Sequence, residues 1–152
     1  MLVFLTHGLA LPLLKKVRKP EYFPYTAEAL QKFPVHTLGF DLVNFLHRKE
    51  LQLLPYYAKH DIKHILLAYD TTDEGEVCLQ CFMLGNGHFS FPVAATVLYG
   101  LVTMPEYWKS FSKAYNRGKQ SISIKNWEWH LVVWEPTAVL RQKINHHLNN
   151  AQ

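Results

Sequence analysis

Between Val77 and Pro105 the chain carries no aspartate, glutamate, lysine or arginine. A run of this kind has almost nothing to hold it in water, so it must pack against something apolar. Gly85-Asn86-Gly87-His88 breaks it in two. Each half is shorter than the ~20 residues that cross a bilayer, and Pro92 and Gly100 interrupt the second. The plainer reading is a pair of fully buried helices. The other is a pair of helices lining an apolar ligand pocket.

The rest of the chain is long enough to supply a core for such helices. Its 152 residues are the usual size of one domain, read here as 1–152, and 49% hydrophobic with 18% charged residues is a globular composition. The net charge of +4 is unevenly spread: residues 1–76 hold nine acids and nine bases, residues 77–152 three acids and seven bases. That excess fits attraction to an anionic membrane surface or a phosphorylated ligand. No lysine/arginine stripe is interleaved with aromatics, so nucleic acid is not expected as a partner. Residues 1–14 are uncharged and mostly apolar, and Lys15, Lys16, Arg18 and Lys19 follow them rather than precede them. This is the reverse of a secretory signal. It suggests an intracellular protein with a buried or interfacial N-terminal helix, available to a membrane or a homodimer interface.

Helical spacing dominates, and no hairpin signal is convincing. Thr26 can cap a short helix ending near Phe33. Thr37 can cap another with Leu38, Leu42, Phe45 and Leu46 on one stripe. Pro55 suits the first turn of a helix running to about Tyr69. A polar loop spans 70–75, and Asp73 can cap the next helix. Pro105 opens a helix through Tyr115, closed by Asn116-Arg117-Gly118. Residues 119–125 read as a loop or brief strand, Asn126 caps a turn at Trp127, and Pro136 starts a last helix to about Leu148. The fold class expected is all-α.

The chemistry lies in His60-Asp61-Ile62-Lys63-His64. On a helix at ~100° per residue, His64 stands ~40° and Asp61 ~100° from His60. Apolar neighbours share or flank that arc, while Lys59, Lys63 and Asp70 fall opposite and face water. Two imidazoles and a carboxylate on an inward face are costly unless paired or bound to metal. Neutral imidazole and carboxylate suit Zn²⁺, and also Fe²⁺ or Mn²⁺. Glu76 would lie ~160° from His60 on one continuous helix, but the 70–75 loop lets a second helix turn back and present it. Alternatively, Glu76 forms a capping box with Asp73.

Other readings of these residues stay open. His-Asp-x-x-His is similar to the zinc-protease pattern with a shortened base, and to metal phosphohydrolases of the HD type. Cys78 and Cys81 at x-x spacing suggest a Cys₂His₂ zinc site with His60 and His64, although their apolar helix favours plain core thiols. His7, His36, His47, His88, His130, His146 and His147 have no comparable setting and read as surface or core residues.

The pattern His60-Asp61-x-x-His64, eleven residues, then Glu76 resembles the signature of the coenzyme Q biosynthesis protein 4 family. Thr37-Leu38-Gly39, Phe45-Leu46, Gly75-Glu76-Val77, Tyr115-x-Arg117-Gly118-Lys119, Trp127-Glu128, Pro136 and Arg141 resemble further family elements, so the likeness runs from about Phe33 to Leu148. The resemblance implies a compact multi-helix domain with an apolar groove between helices for an isoprenoid tail. It implies a divalent metal, commonly zinc, on His60, Asp61, His64 and Glu76. It further implies work at a membrane surface beside other quinone-biosynthesis proteins, on the cytoplasmic side in a bacterium or at the mitochondrial inner membrane in a eukaryote. The implied reaction is metal-dependent decarboxylation of a polyprenyl benzoate-type precursor, coupled to hydroxylation of the same carbon. Asp61 or Glu76 would then be the working carboxylate, and Arg117 and Lys119 would hold a substrate carboxylate or lipid phosphate. A non-catalytic lipid-presenting scaffold and a metal hydrolase are the rival functions.

Overall fold

The computed structural model describes residues 22–149, so the helix expected over residues 1–14 lies outside the described residues. The described residues form a compact all-helical domain. Its helices are α1 (Ala27–Leu30), α2 (Leu38–Arg48), α3 (Ala58–Leu67), α4 (Asp73–Gly85) and α5 (Phe91–Thr103). A 3₁₀ turn at Pro105–Tyr107 leads into α6 (Trp108–Gln120), followed by α7 (Trp129–Val132) and α8 (Thr137–Asn149). Among the described residues there is no strand, only an isolated antiparallel bridge between Thr37 and Pro136. The alternating segment after α6 is irregular chain.

Thr26 and Thr37 cap their helices as the sequence suggests, each hydroxyl accepting from a backbone N–H three residues on. The α2 stripe buries Leu38, Leu42 and Leu46 against α3, where Ile62, Leu66 and Leu67 are closed from solvent. This main core continues through Phe82, Ile124, Leu140 and Ile144. A smaller cluster of Val77, Cys78, Cys81, Phe111 and Ala114 lies between α4 and α6.

Two expectations about the second half of the chain are corrected. Helix α6 does not stop at Gly118 but runs through it to Gln120. Gly118 is instead a packing residue: a Cβ there would collide with the Phe82 carbonyl, and one at Gly85 would collide with the Tyr115 carbonyl. The α4 and α6 backbones touch where both side chains are absent. The uncharged stretch is also not a pair of fully buried helices. Helix α4 is buried along most of its length, whereas α5 buries only Val93 and Gly100. Pro92 sits in the first turn of α5, where its missing N–H costs nothing. Gly100 lets the helix lie against Val77. Neither residue interrupts it. A shallow concavity of about 540 Å³ along the outer side of α5 is lined by that helix's own residues.

Asn86, which in sequence reads as part of a helix break, is a buried junction. Its amide donates to the carbonyls of Gly118 and Ile122, and its carbonyl oxygen accepts from Ile124 N–H. One side chain thereby stands in for the regular partners that the end of α6 and the irregular segment lack.

Candidate metal centre

Helix α3 starts at Ala58, after a turn at residues 55–57, and ends at Ala68 in the left-handed conformation with φ 57°. This ending swings the Tyr69 carbonyl back over the last turn. His64 Nδ1 lies 2.9 Å from that carbonyl, which can only accept, so Nδ1 carries the hydrogen. In the neutral ring the Nε2 lone pair is then free to act as an acceptor, and it points at His60 and Glu76. A carbonyl fixing the far nitrogen is the usual outer-shell partner of a metal-ligating histidine. The Phe45 ring of α2 lies nearly parallel to the same imidazole, 13° apart, and closes its other side.

Glu76 arrives from α4. Thr72 is the cap, accepting from Gly75 N–H, so Asp73 is the first helical residue and the expected Asp73–Glu76 capping box does not form. A Cβ at Gly75 would collide with the Asp70 carbonyl, so glycine allows the loop to fold tightly onto the helix start. The Glu76 carboxylate is left for the histidines. Its oxygens lie 3.0 Å from His64 Nε2 and 3.2 Å from His60 Nε2. The two Nε2 atoms are 3.1 Å apart. One ligand atom from each residue falls within 4.8 Å of the others.

The cluster grades from closed to open: the side chains of His64, Glu76 and His60 are 0%, 15% and 37% exposed. Burial by itself would raise the Glu76 carboxyl, but hydrogen bonds and charge from His60 and His64 outweigh it and hold the group at about 2. Burial likewise disfavours His64 charging. The Glu76 carboxylate beside it, the Tyr69 carbonyl and the more distant Asp61 reverse that, so the imidazole titrates above its ordinary value. Two inward-facing imidazole nitrogens and a carboxylate held ionised are a donor set that a divalent cation would fit.

Chain similarity adds the fold. The chain matches no family model and no curated protein. It is similar in structure to a "putative ubiquinone biosynthesis protein" of Nostoc punctiforme PCC 73102. The TM-score is 0.64 at 20% identity, over 93% of this chain and 77% of that one. At such identity the likeness shows a shared fold.

The remaining site residues fall outside the cluster. Asp61 is half-buried on α3 and acts on His64 through its charge, but its carboxylate is not in the mutually close group. Arg117 turns inward. It donates to the Leu67 carbonyl at 2.7 Å, with its guanidinium 5.4 Å from the centres of both the Tyr69 and Phe82 rings. Lys119 is exposed, its ammonium 5.9 Å from the Tyr115 ring. Lys63, expected to face water, is half-buried with its ammonium 6.0 Å from the Trp129 ring. Cys78 and Cys81 lie outside the close group as buried free thiols, pushed by burial up to about 11 and about 12, as core residues are.

Tyr69, Thr72 and Arg141 serve the site in ways that the sequence pattern does not announce. Arg141 donates to the Ile65 carbonyl at 2.6 Å, so with Arg117 it satisfies and complements the carbonyl end of the ligand helix. The available signal was two arginines downstream of a helix that ends without glycine. The Tyr69 carbonyl, a backbone group, has no sequence signature at all.

Proposed function

We propose that the protein holds a divalent metal, zinc foremost, on His60, His64 and Glu76, and uses it on a prenylated quinone precursor in ubiquinone biosynthesis. The observation that carries the reading is the convergence of three ligand atoms from two helices within 4.8 Å. The ubiquinone-biosynthesis name of the Nostoc protein of shared fold, and the motif resemblance, support the choice of substrate class.

When bound, the metal would supply Lewis acidity toward oxygens of the ring or its carboxylate. Three protein donors leave room for such an oxygen, and the exposed edge at His60 is the side from which it can enter. The reaction proposed is loss of the ring carboxylate as carbon dioxide, with a proton taking its place at the ring carbon. Coupled hydroxylation of that carbon would need dioxygen or another external oxidant. Glu76, held near 2, stays ionised at neutral pH and is suited to holding the cation. Asp61 lies next to the cluster without belonging to it. It is the carboxylate left to complete the metal shell or to hand on the proton. Arg117 and Lys119 could still meet a substrate carboxylate or phosphate at the α6 end, but Arg117 would first have to release the Leu67 carbonyl.

The test is elemental analysis of the full chain beside His64→Ala and Glu76→Ala, with mass spectrometry of co-purifying lipid and a carbon-dioxide release assay on a polyprenyl hydroxybenzoate. About one metal per chain in wild type, lost in both variants, together with release that depends on Asp61, supports the enzyme. Well-folded wild type that takes up no metal on reloading overturns it. A second reading, a lipid-presenting scaffold with a structural metal, is favoured by the large apolar face of α5. Metal and lipid bound with no carbon dioxide released would select it.

A further inference from the structure

Helix α5 has a buried line and an exposed line, and both are apolar. Val93 and Gly100 face the protein; Phe91, Ala95, Leu98 and Val102, spaced four, three and four residues apart, face out. Phe91, Leu98 and Val102 are 82%, 63% and 71% exposed, and Phe89 just before the helix is 76% exposed. The outward line covers the 13-residue helix, about 20 Å. It continues onto Trp108, whose indole N–H is satisfied by the Leu101 carbonyl at 2.9 Å while the ring stays half in solvent. An aromatic ring with its polar atom satisfied, at the rim of an aliphatic face, is suited to a membrane–water boundary.

The charges point the same way. Residues 77–127 hold five cations, Lys109, Lys113, Lys119, Lys125 and the inward-turned Arg117, against one carboxylate, Glu106. Elsewhere the chain carries eleven of each sign, so its whole net charge of +4 lies in this segment. Lys109 and Lys113 are exposed on α6, directly after Trp108. The exposed Lys109 and Lys113, with Glu106 the one carboxylate close to them in sequence, follow a helix whose outer face has no charge, and this complements anionic lipid headgroups above acyl chains. Among the described residues no helix is long and apolar enough to cross a membrane, so the contact would be with a surface.

The geometry points to the outer face of α5, with Trp108, Lys109 and Lys113, as the surface that docks this protein onto an anionic bilayer. Gly100 packs on Val77, the neighbour of Glu76, so the docked helix would end beside the candidate metal centre. This deepens the functional reading by naming where lipid is met. It does not depend on the metal, and its test is read without metal or quinone.

The full chain is floated with vesicles of phosphatidylcholine alone or mixed equally with phosphatidylglycerol, in chelator. Wild type should bind the mixed vesicles, less tightly as salt rises. Leu98→Glu with Val102→Glu should weaken binding by roughly tenfold or more, since two carboxylates would enter the acyl boundary. Lys109→Glu with Lys113→Glu should weaken binding to the mixed vesicles by roughly tenfold or more. Circular dichroism should be unchanged, because the substituted residues are exposed. In the unsubstituted chain, brominated lipid should quench tryptophan emission, and Trp108→Phe should remove most of the quenching. Glu76→Ala should lose metal but still bind vesicles, which separates a failure here from a failure of the metal reading. Wild type that ignores the vesicles, or a Leu98/Val102 variant that binds as wild type, overturns the proposal. So does a wild-type dimer that this variant splits into monomers, since the face would then belong to a second copy.

Discussion

Helix α5 and all of α4 after its acidic first turn come from one uncharged stretch; the two have 13 residues each and lie side by side, yet α4 is mostly core and α5 mostly surface. Beyond that first turn composition does not separate them; neighbours do. Helix α4 is packed by α5 on one side and by α6 on another, where Gly85 and Gly118 let the backbones meet. Among the described residues, helix α5 has a partner on one side only. An apolar helix is therefore a statement about what must be covered, not about what covers it.

Two phenylalanines give the sharpest test. Phe82 on α4 is fully buried, and Phe91 on α5 is 82% exposed. Phe82→Ala should cost about 3–5 kcal/mol in urea unfolding, through lost transfer energy and a cavity. Phe91→Ala should stay within about 0.5 kcal/mol. A large loss at Phe91 would break the comparison, because it would mean α5 is covered in solution.

Asn86 closes α4 with a polar junction that α5 lacks. Asn86→Ala strands the Ile124 N–H and the Ile122 carbonyl and leaves the Gly118 carbonyl only the Ser121 N–H, and should cost about 3 kcal/mol by the same unfolding measurement. Gly118→Ala probes the seam itself. Its Cβ would collide with backbone, which cannot rotate away, so a loss of about 2 kcal/mol is expected. A neutral Gly118→Ala would show that α4 and α6 have more room than their packing indicates.

How much of this was legible in the sequence follows the same division. The helix caps at Thr26 and Thr37, the α2 stripe and the His60/His64 face are local patterns, and the structure keeps them. Local rules failed where a distant segment decides. Gly118 looks like a stop signal because glycine ends helices, but here it serves a helix crossing. Thr72 and Asp73 are both good caps, and only the packing of Gly75 on Asp70 selects Thr72 and frees Glu76. The family resemblance implies a ligand-binding cation at Arg117; the Leu67 carbonyl that holds it lies 50 residues away and leaves no local trace. The exposure of α5 had no signal, because an apolar face has the same sequence whether it is covered or bare.

At its first turn α4 is polar, and there pH separates it from α5. The Glu76 carboxyl is held at about 2 in the folded protein, against 4.5 for the ordinary group. A depressed folded value contributes stability above about pH 4.5 that is lost as pH falls toward 2. In metal-free protein the loss over that window should be on the order of 2 kcal/mol, since the group is mostly buried. Glu76→Gln should flatten this acid limb. An unchanged limb would mean that the His60–Glu76–His64 contacts do not form in solution.

The smallest effect concerns the same three side chains when a cation competes with protons. The His64 imidazole titrates above its ordinary value, so in metal-free protein it is more protonated at neutral pH than a free histidine. Its contribution to metal-free stability is complete below about pH 6.5 and is lost as pH rises through the raised value. Metal binding needs the neutral ring, so the two trends run in opposite directions. Zinc affinity should rise about tenfold per pH unit, about 1.4 kcal/mol, for as long as one proton must leave His64. The slope should flatten above the raised value. Calorimetry in two buffers of different ionisation heat reads this proton release directly. Release that is absent near neutral pH would show that the imidazole is already neutral, so that Glu76 is not ion-paired with His64 before the metal arrives.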